Sequence, residues 1–236
     1  MNTVRRLAAS IAVVALAATG LPPSQAHADD ARLNLTSWNL PAQKVSSASC
    51  AYFPVLARVS TTSGYSFDFV DADVTKGSTL VGYLTNDGRS STRFEFCPSL
   101  GDTFGAYTFG PSDVFGTNAR GEDVQAHDTT KGTLYIRRAS KVSLTTSKNG
   151  NYVTLKGQAM RFSVSRTVAK YVGWPSAPLN VQYRNSSGAW VTTKTLTASS
   201  TGTYATKVSS TTPRVWRVTT GFNADTASSA SPTGTR

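Results

Sequence analysis

The stretch VQYRNSSGAWVTTKTLTASSTGTYATKV, residues 181–208, decides the fold. Val181-Gln182-Tyr183-Arg184 alternates apolar with polar, as a strand with one buried face does. Asn185-Ser186-Ser187-Gly188 is turn chemistry: short polar side chains bond their own backbone and glycine accepts positive φ. Strand character resumes from Trp190 to Ala198, where Val and Thr dominate. Ser200-Thr201-Gly202 turns the chain again, and the alternation over 203–208 puts Tyr204, Thr206 and Val208 on one face and Lys207 on the other. The pattern predicts a meander of three antiparallel strands and contains no catalytic equipment.

Working outward, runs at 141–147, 152–164 and 213–220 bring the count to six short, evenly spaced strands, the pattern of an immunoglobulin-like sandwich. Further runs at 32–38, 49–60, 65–70, 79–84, 91–97, 104–109 and 132–138 predict a second sandwich upstream. Helical signals are nearly absent after residue 28. The expected fold class is therefore all-β: two tandem immunoglobulin-like antiparallel β-sandwiches after a signal peptide. The boundaries read as a signal peptide over 1–28, a first sandwich over 29–139, a basic second sandwich over 140–222 and a disordered tail over 223–236. The tail, NADTASSASPTGTR, is small, polar and low in complexity.

The first 28 residues carry Arg5 and Arg6, an apolar run from 7 to 21, and Ala26-His27-Ala28, the small-x-small pattern that signal peptidase reads. No later run reaches the roughly 20 apolar residues of a transmembrane helix, and no Cys follows the cleavage site to take a lipid. A secreted, extracellular protein is expected. Loss of Arg5 and Arg6 leaves 22 cations against 13 acids, a formal charge of +9 where the whole chain has +11. Such an excess attracts anionic partners.

Cys50 and Cys97 are the two cysteines. In an exported chain, an isolated pair on two predicted strands reads first as one disulfide, here stapling the first sandwich across 47 residues. A thiol nucleophile or a metal thiolate is the competing reading.

Several segments of the second half resemble a repeated domain of exported actinobacterial proteins, in which a two-sandwich chain follows a signal peptide. They are Arg138-Ala139-Ser140-Lys141-Val142, Val153-Thr154-Leu155-Lys156-Gly157, Tyr171-Val172-Gly173-Trp174, Val181-Gln182-Tyr183-Arg184, Trp190, Gly202-Thr203-Tyr204 and Trp216-Arg217-Val218. The resemblance covers most of 138–222 and implies the fold and export rather than an activity. Some of those relatives carry a calcium-binding label, which this chain has no dense acidic loop to support.

Charge is the most informative pattern. Between Ser140 and Phe222 there are eleven Lys and Arg and no Asp or Glu. That span cannot supply paired carboxylates for hydrolysis or acidic ligands for calcium. It suits polyanions such as teichoic acid, an anionic polysaccharide, nucleic acid or an anionic lipid surface. No reader motif accompanies the charge, so nucleic acid is disfavoured. A basic surface kept for solubility, or for docking on the acid-bearing first domain, is the plainer reading. The candidate binding residues are Lys156, Arg161, Tyr171, Trp174, Arg184, Lys194 and Lys207. Tyr171 and Trp174 are included because they sit beside Gly173 and Pro175 in an expected loop, whereas Trp190 and Trp216 read as core.

Metal ligands are sought at Asp68, Asp71 and Asp73 in FDFVDADV, where alternation puts Asp71 and Asp73 on one face, with a solvated strand end as the plainer reading. Glu122, Asp123, His127 and Asp128 read as a polar loop. His127 is the one histidine after cleavage, so Ser-His-Asp chemistry would have to use it, and the G-x-S-x-G and H-E-x-x-H signatures are missing. A glycosidase built on two first-domain carboxylates has no sequence signature to test. Asn34-Leu35-Thr36 and Asn185-Ser186-Ser187 match the glycosylation acceptor pattern but read as strand and turn residues in a bacterium. The expected function is non-catalytic binding of an anionic cell-envelope or extracellular polymer, with no cofactor and no metal. The alternative is a structural or assembly subunit that binds another exported protein.

Overall fold

A computed structural model describes residues 32–165 and 168–236. The export signal expected over 1–28 lies outside the described residues. In chain order the strands are β1 (Leu33–Asn39), β2 (Gln43–Val45), β3 (Ala51–Thr61), β4 (Tyr65–Lys76), β5 (Thr79–Asn86), β6 (Thr92–Phe96), β7 (Gly105–Asn118), β8 (Asp123–Asp128), β9 (Gly132–Arg138) and β10 (Ser140–Val142). They continue with β11 (Thr145–Asn149), β12 (Tyr152–Ser165), β13 (Val168–Gly173), β14 (Pro178–Arg184), β15 (Trp190–Thr197), β16 (Thr203–Ser209), β17 (Val215–Thr220), β18 (Ser229–Ala230) and β19 (Gly234–Thr235). One 3-10 turn, Pro98–Leu100, interrupts them. The fold is all-β, its sheets packed as sandwiches and antiparallel except where β2 pairs β9 in parallel, from Gln43 opposite Ile136 to Val45 opposite Arg138, against the purely antiparallel sheets expected. Among the described residues no helix is long and apolar enough to cross a membrane.

The chain divides into two compact units. The first comprises the described residues up to Pro41, with Tyr52–Glu95 and Ala106–Leu134. Here β3 lies between β1 and β6 in one sheet, and β4 lies between β5 and β7 in the other, with β8 on the far side of β7. Leu33 and Leu35 of β1, Ala57 of β3, Val70 of β4, Val114 of β7 and Ala126 of β8 meet as one buried cluster between the sheets. Asn86 of β5, 1% exposed, ties the sheets through the backbone: its Oδ1 accepts from Ala57 N at 3.2 Å and its amide donates to the Val55 carbonyl at 3.2 Å. Such a buried amide is tolerable because its hydrogen-bonding capacity is used.

The second unit comprises Ala42–Ala51, Phe96–Gly105 and Tyr135–Arg236. Its central strand is β12, which pairs β10 and β11 on one edge and β13 and β16 on the other. The facing sheet has the order β15, β14, β17, with β18 and β19 on the outer edge of β17. Val153, Leu155, Ala159, Leu179, Val181, Tyr204, Trp216 and Val218 fill the space between. Cys50 and Cys97 are bonded to each other, a linkage that an oxidising compartment sustains. Both belong to segments grouped with this second unit, whereas the sequence suggested a staple for the first.

Three expectations change. The meander over 181–208 is broken: β14 and β15 form the expected hairpin, but β16 leaves that sheet and pairs β12, from Tyr152 opposite Ser209 to Gln158 opposite Thr203. Gly202 makes the crossing possible. Its φ is +82°, and a Cβ there would lie 2.4 Å from the Ala159 carbonyl oxygen and 2.6 Å from Trp174 N. The tail expected to be disordered is ordered instead. Ser229 and Ala230 pair Thr220 and Thr219, Gly234 and Thr235 pair Trp216 and Val215, and Thr226 is fully buried. Main-chain hydrogen bonds to an open strand edge hold it, a route that a count of apolar residues does not register.

The third change concerns element ends. FDFVDADV lies inside β4 rather than at a strand end, and the polar loop around His127 is the strand β8. The loop expected around Tyr171 is β13, and the run at 141–147 is two strands, β10 and β11.

Candidate functional site

The second unit's cations are placed by strand alternation. Leu155 and Val208 face the core, so their neighbours Lys156 and Lys207 face outward. Lys156 lies opposite Ala205 and Lys207 opposite Thr154, which makes the two lysines diagonal neighbours on adjacent strands, about 7–8 Å apart. Arg184 ends β14 on the other sheet, opposite Trp190, and its Nε donates to the Gly188 carbonyl at 3.0 Å. Lys194 is exposed on β15 opposite Val181.

Arg161 is half-buried on β12, opposite both Ser140 and Val172. Tyr171 is half-buried on β13, with the Lys141 ammonium 3.9 Å from its ring centroid and Phe162 edge-on at 5.9 Å. Trp174, read from sequence as a loop aromatic open to a ligand, is 3% exposed and belongs to the core, so it offers no recognition surface. The structure thus brings Lys156 together with Lys207 on one sheet and sets Arg184 and Lys194 on the other. The seven candidates do not form one patch.

Sequence reading passed over the best-organised cation. Arg217 lies between buried Trp216 and Val218 on β17 and therefore points outward. Register sets it opposite Gln182, which is itself opposite Thr192. Arg217 Nε donates to Gln182 Oε1 at 2.8 Å, Gln182 Nε2 donates to Thr192 Oγ1 at 3.0 Å, and the guanidinium carbon lies 4.0 Å from the Trp190 ring centroid. A hydrogen bond from one side and a stacked ring fix the plane of the fork, so less side-chain entropy is lost when an anion takes its remaining donors. The only sequence signal was the W-R-V alternation, and register was needed to pair it with Gln182.

Two of the first unit's polar candidates, Asp71 and His127, fall into one row with Thr85 and Asp113, which the sequence did not single out. Thr85, Asp71, Asp113 and His127 are successive register partners across β5, β4, β7 and β8. His127 Nδ1 lies 3.1 Å from Asp113 Oδ1, and Thr85 Oγ1 donates to Asp71 Oδ1. Asp73 lies two residues along from Asp71 on the same face, opposite Tyr83, while Asp68 falls at a register shift between Phe67 and Phe69. Asp128 is committed to structure: its carboxylate accepts from Leu35 N and from Thr130 N, each at 2.8 Å. The His127 and Asp113 side chains are 44% and 45% exposed, so the pair is a solvent-facing cross-strand contact. Cys50 and Cys97, bonded together, offer no thiolate for nucleophilic or metal chemistry.

No family model matches the chain, and no curated protein matches it. Among solved structures the chain is similar to the D00-D0 domain of Intimin, over 86% of this chain and 98% of that one, at 11% identity and a TM-score of 0.28. The D0-D1 domain of Intimin matches over 85% and 97%, at 12% identity and a TM-score of 0.28. The BSP domain of a biofilm associated protein matches over 84% of this chain and 29% of that one, at 14% identity and a TM-score of 0.24.

Proposed function

We propose that this chain is an exported, non-catalytic binding protein whose second unit attaches to an anionic polymer of the cell envelope or its surroundings. One observation carries the reading: eleven Lys and Arg and no acid lie between Ser140 and Phe222, on a sandwich whose outward faces carry Lys156, Lys207, Arg184 and Arg217. With no carboxylate in that span to neutralise them, these cations sum to a positive field that draws polyanions. The signal-like first 28 residues and the disulfide support an extracellular setting.

The test is cosedimentation of the full chain with purified cell walls, with and without their teichoic acid, across a salt series. The chain should sediment at low salt and come off as salt screens the contacts, and only from walls that keep the anionic polymer. Lys156→Gln with Lys207→Gln should weaken retention. Equal sedimentation with stripped walls, or retention indifferent to salt, would overturn the reading.

A second reading has its own observation. Among the described residues β5 pairs on one side only, and it exposes Leu80 at 46%, Val81 at 42% and Tyr83 at 63%. An open apolar strand edge of this kind receives an added strand from another protein. Capture of an exported protein at high salt, lost on Val81→Lys, would favour an assembly subunit.

A further inference from the structure

The folded tail creates something the sheet alone lacks. Beside Arg217, a recess of ≈ 380 Å³ opens between the outward face of the β14–β17 pair and the returning chain. Gln182, Arg217 and Thr219 line it from the sheet, and Ser228, Ser229 and Ala230 line it from the tail. The tail wall is fixed: Ser229 N donates to Thr220 Oγ1 at 2.9 Å, and Ser231 Oγ, on an 8%-exposed residue, accepts from Val218 N at 2.9 Å. The recess is shallow and open to solvent, so it can receive one repeat of a longer polymer from the side rather than enclose a free small molecule.

The lining reads as a ligand specification. Arg217 Nε is taken by Gln182, and neither Nη group has a hydrogen-bond partner among the described residues. Two parallel Nη–H donors match the two oxygens of a carboxylate or phosphate. Around them stand hydroxyls and an amide, groups that both donate and accept, as sugar or polyol hydroxyls require. The one carboxylate of the tail, Asp225, is engaged by Arg138 Nε at 3.2 Å and by Thr226 Oγ1 at 2.8 Å.

We infer that this recess is the specific subsite of the polymer-binding unit, taking one hydroxylated repeat unit that bears a single oxyanion. The oxyanion sits end-on against the Arg217 Nη groups, and the hydroxyls of the repeat bond Thr219 and Ser228, since the Ser229 Oγ is held 3.3 Å from the Thr220 hydroxyl. The inference rests on the polyanion reading and adds to it: the lysines supply unspecific attraction, and the recess chooses the repeat.

The experiment is a titration of the full chain with tetragalacturonate and, separately, with a glycerol phosphate oligomer, using a neutral dextran oligomer as the blank. Nuclear magnetic resonance follows the Arg217 Nε–H and Trp190 Nε1–H signals of the unmutated protein, so the result does not depend on any variant folding. Both signals should move with at least one anionic oligomer and stay still with dextran. Whichever anion moves them identifies a carboxylated or a phosphorylated repeat as the source.

Arg217→Lys keeps the charge and loses the fork, and should weaken binding about tenfold. Ala230→Asp sets a like charge at the rim and should weaken it as well. If the chain sediments with walls in a salt-dependent way but both signals stay still and both variants bind the oligomers as before, the recess is refuted while the basic surface stands. If the chain binds neither walls nor oligomers, both fall.

Discussion

Tyr204→Phe should separate the stability of the second unit from the ionisation of a buried phenol. Tyr204 is 6% exposed on β16, and its hydroxyl donates to the Ser143 carbonyl at 2.6 Å, joining β16 to the break between β10 and β11. Removing that donor at pH 7 should cost about 1 kcal/mol, the usual net worth of such a bond. Burial also pushes the phenol's pKa above its ordinary value of 10.0. The folded chain therefore keeps the proton after the unfolded chain has begun to lose it. The contribution is fully present below pH 10 and is lost as pH climbs through 10 and beyond. At pH 11 ionisation of this tyrosine in the unfolded chain should favour unfolding by about 1.4 kcal/mol, one pH unit past its ordinary pKa. Phenylalanine has no such term, so the variant should be the less stable at pH 7 and should overtake the parent between about pH 10 and 11. Urea denaturation followed by far-UV circular dichroism at pH 7, 9, 10 and 11 reads this directly. Two curves that stay parallel to pH 11 would refute the buried-phenol reasoning, and coincident curves at pH 7 would remove the hydrogen bond from the account.

Two further outcomes follow from backbone and covalent geometry. Gly202→Ala adds a Cβ against the Ala159 and Trp174 backbones at a φ of +82°, whereas Gly121→Ala, at +77°, has nothing within 4 Å. Gly121→Ala should cost about 1–2 kcal/mol, the penalty of the conformation alone, and Gly202→Ala distinctly more; equal losses in urea midpoint would show that the crossing does not depend on close approach. Replacing Cys50 and Cys97 with Ser opens a closure of 47 residues and should lower stability by roughly 4 kcal/mol on chain-entropy grounds. A calorimetric melt unchanged by the double substitution would refute that estimate.

Much of the candidate surface could be read before the fold was known. Lys156 and Lys207 face outward because Leu155 and Val208 must face inward, and that follows from the two-residue period of a strand. Their mutual proximity could not be read, because it depends on β16 lying beside β12. The place of Trp174 is hidden for a related reason: the Gly and Pro beside it suggest a loop, and only packing shows that its ring completes the core. Arg217 was visible as one cation among eleven. Its partners Gln182, Thr192 and Trp190 lie on two other strands, and no local pattern joins them.

The all-β class, the alternation that sorts inward from outward side chains, the cysteine pair and the acid-free span from 140 to 222 are all legible in the order of the residues alone. Each is a property of composition or of residues two apart, where side-chain chemistry acts directly. That β16 changes sheets, that the tail of residues 223–236 caps β17, and that together they place a pinned guanidinium beside a hydroxyl-lined recess emerges only from the packed fold. Those outcomes depend on main-chain hydrogen bonds between distant strands. Every residue but proline carries the same N–H and C=O, so the choice of partner leaves no mark on the residues that make it.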